Sequence, residues 1–289
     1  MSFLEAFILA LVEGLTEFLP ISSTAHLLFT ENLLGMESND YVKMFTVSIQ
    51  FGAILAVVAA YWRRFFVETS WSFYIVLALS VLPALVLGKL LDDKIEEVFE
   101  KPVIIAVVLI VGGIFLLFID KIFSKQADMP DREVSLRKGL AVGFWQCLAM
   151  MPGVSRSAAS IVGGLQQGLN RKTAAEFSFF LAVPTMAAVT LYSLVLKDWD
   201  FQGETMKGFE MVLSSQKNTL IFLVGNVASF GVAFLAIRMF IRFLQNYGFK
   251  VWGIYRILVG LILLLVFINQ PKNQDPTPSN PTVSTNLRP

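Results

Sequence analysis

The chain has 289 residues, 55% of them hydrophobic and only 16% charged, with a mean hydropathy of +0.66 and a formal net charge of +1. Soluble domains carry about 25% charged residues, so the composition specifies an integral membrane protein, and the near-zero net charge gives no sign of a nucleic-acid-binding surface. The single cysteine, Cys147, excludes an intrachain disulfide and a thiolate metal cluster.

In chain order, residues 1–34 are apolar at both ends but interrupted by Glu13-Gly-Leu-Thr-Glu-Phe-Leu-Pro-Ile-Ser-Ser-Thr-Ala-His26. No Lys or Arg precedes Lys43, so the basic region of a cleaved signal peptide is missing. Apolar runs of about 20 residues predict spanning helices, and three follow, at about 45–61, 71–90 and 102–119. A second interrupted stretch, 139–169, contains Gln146-Cys-Leu-Ala-Met-Met-Pro-Gly-Val-Ser-Arg-Ser157, and spans at about 174–195, 218–237 and 251–269 complete the set. Irregular backbone at membrane depth is tolerated only where protein or a water-filled cavity satisfies it, which predicts two re-entrant helical hairpins. The expected fold is therefore all-α: six full spans plus two hairpins in one membrane catalytic domain, residues 1–269. The Pro-, Asn-, Thr- and Ser-rich residues 270–289 form an expected disordered tail.

A fixed offset of 133 residues places Glu13 on Gln146 and Ser22-Ser23-Thr24 on Ser155-Arg156-Ser157, and three spans follow each interruption. Basic residues cluster at Arg63/Arg64, between Lys121 and Lys138, at Arg171/Lys172 and at Arg238/Arg242/Lys250. Placing these loops in the cytoplasm puts both termini outside. Half-repeats of about 1–125 and 133–269 then enter the membrane from opposite sides. Such inverted-topology repeats hold their sites near the midplane at the repeat interface.

Glu13 and Glu17 stand four residues apart, one turn on a helix face. Carboxylates inside a membrane segment are costly and face a cavity or a partner. Two together suit a hard divalent cation, Mg²⁺ or Ca²⁺, completed by phosphate oxygens; the plainer reading is a solvated or salt-bridged acid pair. Pro20-Ile-Ser22-Ser23-Thr24 starts a second half-helix, whose free N–H groups favour phosphate. Capping needs only one hydroxyl, and the only histidine, His26, follows at once. Gly153 permits close backbone approach, Ser155 and Ser157 supply hydroxyls, and Arg156 offers a planar fork matched to phosphate oxygens. The alternative for Arg156 is a structural salt bridge to Glu13 or Glu17. Thr173 and Glu176 fit a capping box. Gln50, Ser178, Asn226 and Arg256 are candidates for lining the cavity or joining helices, and the glycine pairs 112–113 and 163–164 for close helix contacts.

Together, Glu13-Gly-Leu-Thr-Glu-Phe-Leu-Pro-Ile-Ser-Ser-Thr-x-His26 and Pro152-Gly-Val-Ser-Arg-Ser157 strongly resemble the two signature motifs of bacterial undecaprenyl-diphosphate phosphatases. Ile49–Val57 and Glu176–Pro184 look like further blocks of that family, and the likeness covers residues 1–269. It implies an inner-membrane enzyme, open toward the periplasm, that recycles the lipid carrier of cell-wall synthesis and confers bacitracin resistance. It also implies functional roles for Glu13, Glu17, Ser22, Ser23, Thr24, His26, Ser155, Arg156 and Ser157. Ala25 and Ala158 depart from a usual glycine and Ser160 from a common threonine, which implies tuning of the phosphate path. Phosphatidic-acid-type lipid phosphatases share Ser-x-x-His pieces but need two histidines, and this chain has one.

The expected chemistry is hydrolysis of a polyprenyl diphosphate lipid. Arg156 and the helix ends hold the diphosphate, Glu13 and Glu17 hold the metal, Ser23 attacks, and His26 acts as base or acid. Attack by His26 itself or by metal-held water is equally compatible with these residues, as is a homodimer. The non-enzymatic alternative is a transporter or flippase of an anionic lipid, which would share the inverted repeat but need no nucleophile.

Overall fold

Helices begin where short polar side chains can satisfy their first amides. Helix α1 (Phe3–Thr16) opens with a capping box: Glu5 N donates to Ser2 Oγ at 3.2 Å and Ser2 N donates back to the Glu5 carboxylate at 2.7 Å. Asn39 caps α3 (Asp40–Ala60), Asn170 caps α9 (Arg171–Leu191) and Ser215 caps α11 (Gln216–Tyr247). The Thr173–Glu176 box expected from the sequence does not start α9. Asn170, extended at φ −74° and ψ 170°, accepts from Thr173 N at 2.7 Å, so α9 starts earlier and Glu176 falls in its second turn.

The computed structural model describes residues 1–269 except 38, 69, 127, 128, 131 and 132; the expected disordered tail, 270–289, lies outside the described residues. The remaining helices are α2 (Ser23–Leu33), α4 (Trp62–Phe66), α5 (Trp71–Phe99), α6 (Pro102–Ile122), α7 (Leu136–Gln146), α8 (Arg156–Gln166), α10 (Gly208–Leu213) and α12 (Lys250–Ile268). Six stretches are long and apolar enough to cross a membrane: Asp40–Ala60, Trp71–Leu91, Pro102–Ile122, Arg171–Leu196, Gln216–Tyr247 and Lys250–Ile268. They match the six spans expected from the sequence. The 14 residues of α1 extend about 21 Å, and the 11 residues of α2, α7 or α8 about 17 Å. None reaches the ~30 Å of a hydrocarbon core. The 133-residue offset recurs in the helix limits: α1 and α7 start at 3 and 136, and α2 and α8 run over 23–33 and 156–166.

One local element departs from the all-α expectation. After a π-helical turn at Tyr192–Leu196, strands β1 (Asp198–Phe201) and β2 (Glu204–Lys207) pair antiparallel across Gln202 and Gly203. Those two residues have φ of +59° and +84°, the left-handed pair that a two-residue hairpin turn requires. Lys207 Nζ meets Asp198 at 2.6 Å across the ribbon. Two four-residue strands in a polar loop between spans were too short to register from the sequence.

Close helix approach, rather than water exclusion, organises the bundle. A Cβ added at Gly143 would stand 2.1 Å from the Ser80 carbonyl oxygen, and at Gly52 2.3 Å from that of Asn226, so α7 lies on α5 and α3 on α11. Asn226 Oδ1 also accepts from Gly52 N at 3.0 Å. Gly112 and Gly113 face Arg256 and the Gly253 backbone on α12, and Gly163 and Gly164 face Trp145 and Ala174, as close-contact positions should. At one end of the bundle Asp120 joins three helices. It accepts from Arg171 at 2.6 Å and from the N–H groups of Phe249 and Lys250 at 2.7 and 3.1 Å, at the start of α12. Asp120→Ala is expected to cost about 2–3 kcal/mol, because it leaves one cation and two amides unpaired. A lower melting temperature in detergent with unchanged activity per folded molecule is the check.

Candidate active site

Both interrupted segments turn at a serine. Ser22 (φ +70°) and Ser155 (φ +73°), 133 residues apart, hold the left-handed conformation that non-glycine residues seldom adopt. Each immediately precedes a helix, α2 and α8, so the helix starts lie beside the turns. Strain of this kind persists where the surroundings impose it. Here the surroundings are the opposite segment. Ser157 Oγ donates to the Leu19 carbonyl at 2.7 Å and Ser155 Oγ to the same oxygen at 3.4 Å, while Ser155 Oγ accepts from Ala158 N at 3.3 Å. Gly153 (φ +98°) has no room for a side chain: a Cβ would lie 2.8 Å from the Ile105 carbonyl oxygen.

The two segments meet at Glu17. One carboxylate oxygen accepts from Ser23 Oγ at 2.5 Å, and the other pairs with Arg156 Nη2 at 3.2 Å. The salt bridge considered from the sequence is therefore present, with Glu17 as the partner. Arg156 Nη1 donates to the Ser178 carbonyl at 3.0 Å, its guanidinium carbon lies 5.8 Å from the Phe18 ring centre, and its Nε is buried with no acceptor. Glu17 and Ser23 are buried, and Glu13 is 0% exposed with both carboxylate oxygens lacking a hydrogen-bond partner. Its electrostatic neighbours are Glu17 and Arg156. A doubly orphaned carboxylate beside a second acid is an oxygen donor set that fits a hard divalent cation.

His26 lies in the same cluster but does not bond Ser23. Its Nδ1–H donates to the Ser22 carbonyl at 2.8 Å, which leaves Nε2 to accept from Tyr255 O–H at 2.8 Å. The two rings are parallel within 1°. The sequence spacing brought His26 and Ser23 onto one helical turn, yet helix position alone does not set where an imidazole points. Thr24 is half-buried at the start of α2. Tyr255 was not singled out from the sequence; a polar Tyr255-Arg256 pair inside an otherwise apolar span was the available signal. Ser178, named only as a lining candidate, bonds Ser160 Oγ at 2.6 Å and supplies the carbonyl for Arg156. A cavity of about 450 Å³ bounded by Tyr61, Arg64, Glu68, Thr173 and Glu176 contains none of the site residues.

The second half does not duplicate this chemistry. The positions matching Glu13, Glu17 and His26 are Gln146, Met150 and Ala159, and the position matching Ser23 is Arg156. Gln146 Nε2 donates to Thr185 Oγ1 at 3.1 Å, a neutral helix contact. One half thus brings acids and a hydroxyl, the other a cation.

Comparisons with known proteins identify the relatives of this chain. The family model described as "Bacitracin resistance protein BacA" matches residues 6–262. An "Undecaprenyl-diphosphatase" of Flavobacterium johnsoniae is 48% identical over 267 residues, covering 92% of this chain and 96% of that protein. Proteins of the same description from Porphyromonas gingivalis and Aquifex aeolicus are 45% and 40% identical, covering 93% and 91% of this chain and 98% of each relative. The chain belongs to the bacitracin resistance protein BacA family.

Proposed function

We propose that this protein is a membrane phosphatase that hydrolyses undecaprenyl diphosphate, or a similar polyprenyl diphosphate, to the monophosphate and inorganic phosphate. This activity recycles the lipid carrier of cell-wall synthesis and confers resistance to bacitracin. The observation that carries the reading is the convergence of Ser23 and Arg156, from segments 133 residues apart, on the single carboxylate of Glu17. A transporter has no use for a hydroxyl held on a carboxylate.

The two interrupted segments are read as re-entrant hairpins of an inverted repeat. The supports are the sub-membrane lengths of α1, α2, α7 and α8, the shared offset and the matching left-handed serines. With the basic loops in the cytoplasm both termini lie outside and the site opens to the periplasmic side.

In the reaction, Arg156 and the first amides of α2 and α8 hold the diphosphate oxygens, and the acceptor-free Arg156 Nε is a donor in reserve for them. Ser22, Thr24, Ser155 and Ser157 shape these helix starts, and Gly153 lets backbone approach closely. Glu13 and Glu17 are the residues that would hold Mg²⁺ or Ca²⁺, which when bound supplies charge neutralisation at the phosphoryl oxygens. Glu17 takes the proton from Ser23 Oγ as that oxygen attacks the terminal phosphorus. The bond to the prenyl monophosphate breaks, and water later releases phosphate from Ser23. His26, locked by Ser22 and Tyr255, orients the α2 start and serves the proton transfers of the second step.

Phosphate release from a long-chain prenyl diphosphate in detergent tests the activity, with loss on chelation and recovery on adding Mg²⁺ or Ca²⁺ expected. Trapping and sequencing the phospho-enzyme tests the nucleophile; phosphate recovered on His26 would reject the serine route. Tyr255→Phe removes the hydroxyl that donates to His26 Nε2, while the Ser22 carbonyl still fixes the tautomer. It should lower turnover about tenfold, the order expected for one positioning hydrogen bond, at a cost of about 1 kcal/mol in stability. Unchanged turnover would separate Tyr255 from catalysis.

A further inference from the structure

Arg256, in the middle of α12, is 1% exposed, and among the described residues no carboxylate pairs with it. Its guanidinium is satisfied by backbone alone. Nε donates to the Leu109 carbonyl on α6 at 3.3 Å, Nη1 to Pro20 at 3.3 Å and Val154 at 2.9 Å, and Nη2 to Gly153 at 2.8 Å. Pro20 lies two residues before the left-handed Ser22, and Val154 immediately before the left-handed Ser155. The peptides that feed both helix starts therefore point their oxygens at one cation. Gly112 makes the space: a Cβ there would stand 2.3 Å from Nη2. A cation buried without a counter-ion is costly in a bilayer, and a neutral side chain could fill α12 at less expense.

We infer that Arg256 is the positioning residue of the site: it gathers the Pro20 and Gly153–Val154 carbonyls, holds the two left-handed serines together with the Ser155 and Ser157 bonds to Leu19, and so places Ser23 and Arg156 on Glu17. It touches no reacting atom. A misplacement of about 1 Å at a reacting centre costs on the order of a hundredfold in rate, whereas prenyl-chain binding does not depend on it. The inference rests on the phosphatase reading for its kinetic test, so a second readout independent of activity accompanies it.

Arg256→Met, Arg256→Lys and Gly112→Ala are purified in detergent beside the wild type, and phosphate release from a long-chain prenyl diphosphate is measured. Arg256→Met should lower kcat about a hundredfold with KM within about threefold. Arg256→Lys should recover only a small part, since one ammonium cannot reach carbonyls on three segments. Gly112→Ala, which alters no site residue, should lower kcat about tenfold by displacing the guanidinium. In parallel, after Cys147→Ser, spin labels on Leu33 and Gln166, at the far ends of α2 and α8, report the relative placement of those helices. Their distance distribution should broaden in all three variants. Wild-type kcat with a lowered melting temperature, a rise confined to KM, or an unchanged distance distribution would each overturn the inference. If Arg256→Met does not fold, the other two variants carry both readouts. A wild type that releases no phosphate overturns the phosphatase reading instead, and the spin-label distances then decide the role of Arg256 alone.

Discussion

Glu17→Gln is expected to abolish turnover, with a loss of at least about a thousandfold in kcat. The neutral amide keeps the size of the side chain but cannot take the Ser23 proton, anchor Arg156 by charge or contribute to a cation site. The proposed mechanism puts all three roles on one carboxylate; Ser23 Oγ lies 2.5 Å from one of its oxygens and Arg156 Nη2 3.2 Å from the other. Ser23→Ala should fall to a similar level. The double variant should be no slower than the slower single one, since groups that act as a unit are not additive. Phosphate release by the three purified proteins decides the matter. Additive losses would place Glu17 and Ser23 in separate steps, and a Glu17→Gln enzyme within tenfold of wild type would remove the acid from the mechanism.

Arg156→Lys should lower turnover by about 10²–10³-fold although the charge is kept. The guanidinium reaches two partners at once, Glu17 and the Ser178 carbonyl, and holds Nε in reserve. An ammonium is a point charge on a flexible stem and cannot span those acceptors together with a phosphate. Burial sharpens the effect, since a lysine left with incomplete partners pays the desolvation cost unoffset. The measurement is kcat and kcat/KM on a prenyl diphosphate, with circular dichroism and melting to establish folding. Near-normal turnover in Arg156→Lys would count against the clamp.

The membrane class, the six spans and both interruptions were legible because hydropathy is additive along the chain: a run of about 20 apolar residues needs no partner to declare itself. Glu13, Glu17, Ser23, His26 and Arg156 were legible for the opposite reason, as polar residues standing where apolar ones are cheapest. The β1–β2 hairpin escaped, because its turn depends on two positive φ values at Gln202 and Gly203 that composition does not display. The start of α9 escaped because Thr173 and Glu176 fit a capping box by residue type, whereas the backbone turns into the helix at Asn170.

Pairing was a different matter. Sequence spacing put Ser23 and His26 on one turn, but it could not say that the hydroxyl would bond Glu17 and the imidazole Tyr255, which lies 229 residues away. Nor could it choose between clamp and salt bridge for Arg156, since both use the same fork. By itself, then, the amino-acid sequence determined the solvent this protein folds in, its six long apolar helices and most of the polar residues of the candidate site, all of which follow from local composition and periodicity. Only the tertiary structure decided which groups touch. Hydrogen bonds are directional and short, and the residues that form them come from Glu17 at the end of α1 and from α2, α8, α9 and α12, whose relative placement is set by glycine contacts and carbonyl geometry across the bundle.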